Sequence, residues 1–133
     1  MKFLILHILF IAQQCSSPWT DEILIINSGV CLGNCPEYTL KIQSNGHYIL
    51  THPRTKVQNH GKLKKNELVA LEKIILSIDF SKVKENYGNS LIRDLPKISI
   101  SFGDKNLNFR GRHSAPDSLY QLILWADRFN SRN

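Results

Sequence analysis

Residues 22–130 predict a single α+β domain: a mostly antiparallel sheet of five to six strands with two helices packed on one face. Three observations point there. Stretches in which apolar and polar residues alternate are joined by short turn signals, which favours antiparallel hairpins over crossovers. Two other stretches repeat apolar residues at intervals of three and four, the period of a one-sided helix. Their order along the chain is strands, helix, two strands, helix, and a sheet covered on one side accommodates that order. The chain has 133 residues, which suits one domain with a modest core, and no repeat or second-domain linker interrupts it.

The first element is a strand over residues 22–28, where the apolar run Ile23-Leu24-Ile25-Ile26 reads as buried. Next, Tyr38, Leu40 and Ile42 alternate with Thr39, Lys41 and Gln43 before Ser44-Asn45-Gly46. Parity sets the turn. A two-residue loop would throw Tyr48 and Leu50 onto the face of Lys41, whereas a three-residue loop with Gly46 left-handed sets Ile42 opposite Tyr48 and Leu40 opposite Leu50. Only the second keeps one apolar face. His52-Pro53 ends that strand or marks an edge, and a short edge strand is expected around residues 55–59.

Residues 66–78 form the first helix, with Leu68, Leu71, Ile75 and Ile78 along its apolar stripe and Ile74 widening it. Lys62, Lys64 and Lys65 crowd its positive N-terminal end, and Glu67 offsets part of that charge. Phe80 folds under the helix end. After a loop through Tyr87 and Gly88, Ile98, Ile100 and Phe102 alternate with polar residues, residues 103–106 turn, and Leu107 and Phe109 return on the same face. The last helix starts at Ser114, where Ser114-Ala115-Pro116-Asp117 resembles a capping box.

Ahead of the domain, Lys2 precedes an apolar run from Phe3 to Ala12 that is too short to span a bilayer and suits a secretory signal over residues 1–14. Cys15, followed by Ser16-Ser17, resembles the lipidated cysteine of a bacterial lipoprotein, with residues 15–21 as a short tether. Ala12 and Gln14 depart from the residues usual in such signals. Export to the cell envelope, lipid-anchored or periplasmic, or secretion, is therefore expected. The membrane is touched only through that lipid.

The formal charge is +6, from 17 Lys and Arg against 11 Asp and Glu, and removing residues 1–14 takes away only Lys2. An exported chain whose basic residues are scattered is not expected to bind nucleic acid. An envelope protein or an anionic polymer suits the compartment better, and a soluble basic surface with no charged partner is the plainer alternative to both. Three cysteines are an odd count, and a lipid on Cys15 leaves Cys31 and Cys35 as a pair.

Those two enclose the turn Cys31-Leu32-Gly33-Asn34-Cys35-Pro36, tight enough to bring them within bridging reach. In an oxidising compartment a structural disulfide is expected, pinning the approach to the next strand. Pro36 fixes φ and keeps Cys35 extended. The alternative is thiol–disulfide redox chemistry. It asks for a helix N-terminus and two intervening residues, whereas three intervene here and a strand follows, although Arg or His neighbours could compensate. A metal is not expected: His47, His52, His60 and His113 lack ligand spacing. No cofactor is implied, and no nucleophile–base pair or paired carboxylates suggest catalysis, so the chain leans away from enzymes without excluding them.

Cys31, Gly33, Cys35, Pro36 and Tyr38 resemble the cysteine–aromatic–glycine–x–cysteine–proline–x–tyrosine motif of a family of small bacterial envelope proteins grouped as a domain of unknown function. Leu32 stands where an aromatic is common. The resemblance continues through Gly46, Phe80, Tyr87 and an Asp-x-Pro at Asp94 and Pro96, and covers about residues 22–128. It implies no activity.

Two further features are candidate sites. Asp94 is expected either to cap the Cys31–Cys35 turn or to face a ligand. Arg110, Arg112 and His113 leave the second hairpin beside a helix N-terminus, as an anion pocket or as a solvated basic turn. The functional expectation is a non-catalytic binding domain with a structural disulfide; the alternative is a redox protein using Cys31 and Cys35.

Overall fold

A computed structural model describes residues 23–133, so the expectations for residues 1–14, Cys15 and residues 15–21 lie outside the described residues. The architecture is α+β. Seven strands form one sheet: β1 (Ile23–Ser28), β2 (Tyr38–Gln43), β3 (His47–His52), β4 (Val57–Lys62), β5 (Asn86–Tyr87), β6 (Lys97–Phe102) and β7 (Lys105–Arg110). Their order across the sheet is β4-β3-β2-β1-β6-β7-β5. All neighbours are antiparallel except β5, which runs parallel to β7. Helices α1 (Lys65–Leu76) and α2 (Asp117–Arg132) touch each other and share one core with the sheet.

The parity of the strands decides what each face carries. Leu24, Ile26, Leu40, Ile42, Leu50, Ile98, Ile100, Leu107 and Phe109 point to the helices and are all at most 2% exposed. Leu71 and Ile75 of α1, and Leu119, Leu122, Ile123, Ala126 and Phe129 of α2, close over them. Burying a large aliphatic side chain contributes about 1.5–3 kcal/mol, so this layer supplies most of the drive to fold. Rings fill the margins: Phe80 stacks on Phe102 at 5.3 Å, Tyr87 on Phe109 at 5.3 Å, and Tyr48 meets Phe129 edge-on at 4.9 Å. The Phe80 contact is the fold under the helix end that the sequence predicts.

The first hairpin has the expected register, Ile42 opposite Tyr48 and Leu40 opposite Leu50. Gly46 sits at φ +85, a value that only glycine adopts freely, and its N–H donates to the Gln43 carbonyl at 2.9 Å. The Glu67 carboxylate accepts from the Lys64 N–H at 2.9 Å, capping α1 where lysines crowd it.

Four expectations change. The first strand is half buried rather than buried throughout, since β1 alternates and Ile23 is 46% exposed. The edge strand runs Val57–Lys62, later than residues 55–59, and β5 adds a pairing that no pattern announces. The β6–β7 loop is shorter than residues 103–106, because Lys105 and Asn106 already pair with Phe102 and Ser101. Finally, Ser114 does not cap α2. It closes the 3₁₀ turn Arg112–Ser114, its hydroxyl donating to the Gly111 carbonyl at 2.8 Å, and the helix begins at Asp117.

Candidate functional site

Two regions could carry function: the cysteine turn with the polar cluster behind it, and the sheet face that the helices leave open. The turn joins β1 to β2. Cys31 and Cys35 are disulfide-bonded, with Cα atoms 5.9 Å apart, and both are half-buried beside an exposed Leu32. The chain leaves through Pro36 into a strand, so no helix dipole acts on either sulfur.

Immediately behind the turn lies a largely buried polar cluster, with the Arg112 and Asp127 side chains each 15% exposed. The Asp127 carboxylate of α2 accepts two hydrogen bonds from the Arg112 guanidinium, at 2.5 and 3.1 Å, and one from the Tyr38 hydroxyl at 2.8 Å. Arg112 also donates to the Ser28 hydroxyl at 2.9 Å, which in turn donates to the Pro36 carbonyl at 2.6 Å. Tyr38 is 1% and Ser28 3% exposed, so each polar atom here needs the partner it has. Burial, and then the Asp127 carboxylate, push the Tyr38 phenol well above its ordinary range, with Arg112 pulling the other way. The strand parity that sends Leu40 and Ile42 into the core also sends Tyr38 inward, where α2 presents Asp127. The cluster ties the exit of the cysteine turn to the last helix.

The remaining candidates are placed as follows. Asp94 is exposed, and no hydrogen bond among the described residues joins it to the cysteine turn. Its neighbours pack instead on the corner after β7: the Pro96 carbonyl accepts from the Gly111 N–H at 2.9 Å, and the Leu95 carbonyl from Arg110 at 3.3 Å. A side chain at Gly111 would meet Leu95 at 2.9 Å, and its φ of +81 adds strain, so the approach requires glycine. Arg110, Arg112 and His113 do line one hollow of about 410 Å³, with Leu95, Pro96 and Ile92 as its apolar side. Of the three, Arg112 is already paired with Asp127, Arg110 holds Leu95, and the exposed His113 ring lies 5.3 Å from Tyr120. On the other side of the cysteine turn, Cys35, Glu37, His52 and Arg54 line a hollow of about 240 Å³. Glu37 and Arg54 there form an ion pair at 2.6 Å. Among the described residues, no group of three His, Cys, Asp or Glu could hold a metal ion, and no helix is long and apolar enough to cross a membrane.

The open face is more organised than its sequence suggests. One row of uncharged polar residues crosses all seven strands in register: Gln58, Thr51, Thr39, Asn27, Ser99, Asn108 and Asn86. Thr39 donates to the Asn27 amide oxygen at 2.7 Å, and the Asn27 amide donates to Ser99 at 3.1 Å. On either side of that row stand basic residues, Lys97 and Arg110 above, Lys41 and Lys62 below. None of the seven strands contains an aspartate or glutamate.

Sequence reasoning missed Asp127, Ser28 and this row. Asp127 could have been noticed as an acid next to the apolar stripe of α2. The row could not, because it exists only once β1 is known to lie between β2 and β6.

No curated protein matches the chain. The sequence profile of a domain of unknown function, DUF6438, matches residues 22–129, nearly the whole of the described domain, and the chain therefore belongs to the DUF6438 family.

Proposed function

We propose that this protein is an exported, non-catalytic binding domain of the bacterial cell envelope, braced by the Cys31–Cys35 disulfide, whose open sheet face engages an anionic partner. One observation carries the reading: the strands hold lysines, histidines and an arginine but no acid, while among the described residues no helix lies over one face of the sheet. The apolar segment over residues 3–12 supports export, and a bridged cysteine pair is at home outside the cytosol. In this reading the motif residues Gly33, Pro36 and Tyr38 are structural. Pro36 and Tyr38 fasten the turn to Ser28 and Asp127.

Retention of full-length protein on immobilised envelope extract tests the reading, with the Lys41→Gln/Lys97→Gln variant alongside. Retention that the substitutions reduce supports it; equal retention of both proteins sinks it. Protein recovered from native membranes also has an intact mass, and loss of residues 1–14 with an acylated Cys15 is the expected result.

A second reading rests on the hollow that brings His52 and Arg54 to Cys35. There the pair would exchange thiol and disulfide with a partner. A reduction potential below about −300 mV would leave the bridge a passive brace and reject it.

A further inference from the structure

Four basic residues on the open face lie on one diagonal. Lys62 is on β4, Lys41 on β2, Lys97 on β6 and Arg110 on β7. The pairings fix their relative positions. Lys62 is opposite His47 and Lys41 opposite Ile49, so one row of the pleat separates them. Thr39, Asn27 and Ser99 share the next row, and Lys97, opposite Arg110, stands one row beyond. With strands ~4.8 Å apart and same-face residues ~7 Å apart along a strand, the four charges extend over about 30 Å. The line crosses the neutral row at Asn27, where the Thr39–Asn27–Ser99 chain uses neither the Ser99 hydroxyl hydrogen nor the second Asn27 amide hydrogen.

From this geometry we infer that the face binds a linear polyanion laid obliquely across the strands from β4 to β7, its charges taken up by Lys62, Lys41, Lys97 and Arg110. The inference rests on the proposed binding role and names the class of its ligand. A small anion cannot span charges so far apart, and no closed cavity here gathers them; a chain with repeated negative charge meets them in turn. The surface is shaped accordingly. A hollow of about 610 Å³ holds Lys41 and Lys62 at one end, one of about 340 Å³ holds Asn27, Ser99 and Lys97 in the middle, and one of about 250 Å³ holds Lys97 and Arg110 at the other. Glu37, just ahead of β2, also lines the middle hollow, where its carboxylate is paired with Arg54 at 2.6 Å. The three basic residues of the hollow after β7 do not compete as a set, because Arg112 is neutralised by Asp127. Phosphodiester or polyphosphate chains and uronic-acid glycans share the required chemistry.

Full-length protein is titrated with polyphosphate and with polygalacturonate, and with inorganic phosphate and galacturonate at matched charge, over a range of salt. The expected result is binding of at least one polymer with no comparable binding of its monomer. For polyphosphate, the affinity should fall with salt at a logarithmic slope near −3, as four contacts to a single-stranded chain give. The Lys41→Gln/Lys97→Gln variant should bind about tenfold more weakly with a slope shallower by about 1.4. Lys73→Gln/Arg128→Gln removes the same charge from exposed positions on the helices and should change affinity less than about twofold. Unchanged melting of both variants shows that each is folded.

Equal weakening by the two variants, or monomers that bind as tightly as polymers, overturns the inference. If no polyanion binds while retention on envelope extract still depends on Lys41 and Lys97, the linear ligand is wrong and the binding role survives. If retention fails as well, both readings fall. The two polymers, compared with each other, distinguish phosphate from carboxylate.

Discussion

The two faces of the sheet are built from alternate residues of the same strands, yet they follow different rules. On the covered face, Leu40, Ile100 and Phe109 are excluded from water, and their cross-strand neighbours Ile26, Leu50, Leu107 and Ile98 add apolar packing. A polar cluster there, Arg112–Asp127–Tyr38–Ser28, stands at one end with its donors and acceptors matched. On the open face, Thr39, Asn27 and Ser99 hydrogen-bond across the strands, which accounts for the neutral side chains at the centre of the row, but nothing in folding requires that acids be absent from all seven strands. The covered face is therefore constrained by packing at every position, and the open face only where its polar side chains pair.

The largest effect should come where charge meets the core. Asp127→Ala leaves the guanidinium of Arg112 and the hydroxyl of Tyr38 without their acceptor, and about 3–5 kcal/mol of stability should be lost in urea unfolding. Pairing Asp127→Leu with Arg112→Met, which removes both charges, should recover much of that loss. If Asp127→Ala is instead nearly neutral, the cluster is wet, and the contrast between the faces is weaker than the burial of its members implies.

Adjacent residues give the cleanest contrast. Leu40 is completely buried and Lys41 exposed, one position apart in β2. Leu40→Ala should cost about 3 kcal/mol, transfer and cavity together, whereas Lys41→Gln should stay within about 0.5 kcal/mol and alter only binding. Matching denaturation curves check both, and a stability loss in Lys41→Gln comparable to that in Leu40→Ala would show that the open face is structural after all.

How much of this was legible in the sequence depends on range. The β2–β3 register follows from parity and one glycine, because the answer lies within a dozen residues. The helical stripes are legible for the same reason, and so is the disulfide, which closes a loop of sequence separation 4. β4 is harder: as an edge strand it needs no apolar alternation, and its Gly61 lies beneath the Tyr48 ring. β5 is two residues held parallel to β7, too short to have a period. Arg112 reads as a free cation until Asp127 is placed beside it, and Tyr38 meets the same acid 89 positions away in sequence. What remained hidden is what the long-range pairings create.

The cysteine turn belongs to neither face, and its removal should have a middling effect. Cys31→Ser/Cys35→Ser releases a five-residue loop, for which chain entropy predicts a loss of about 2 kcal/mol. Ser28 and Tyr38 still hold the turn's exit, so the sheet should survive and polyanion binding should persist. A loss of fold would mean that the bridge, and not the polar cluster, fastens β1 to β2.

The smallest effect is also the most specific. Tyr38→Phe keeps the ring in place and deletes the hydroxyl that donates to Asp127 at 2.8 Å, which should cost about 1 kcal/mol near pH 8. The sign should then change with pH. The folded phenol is held above its ordinary value of roughly 10 by burial and by the Asp127 carboxylate, so the hydroxyl's contribution is fully present below that value. Above it, the unfolded chain gives up a proton that the folded chain keeps, and stability falls by about 1.4 kcal/mol per pH unit. The phenylalanine variant lacks this loss. The gap between the two proteins in urea unfolding should therefore be constant from pH 8 to 9, narrow from pH 10, and close or reverse by pH 11. A gap that does not move over that range would mean the hydroxyl is reached by solvent, and the covered face would then lack the sealed corner that distinguishes it from the open one.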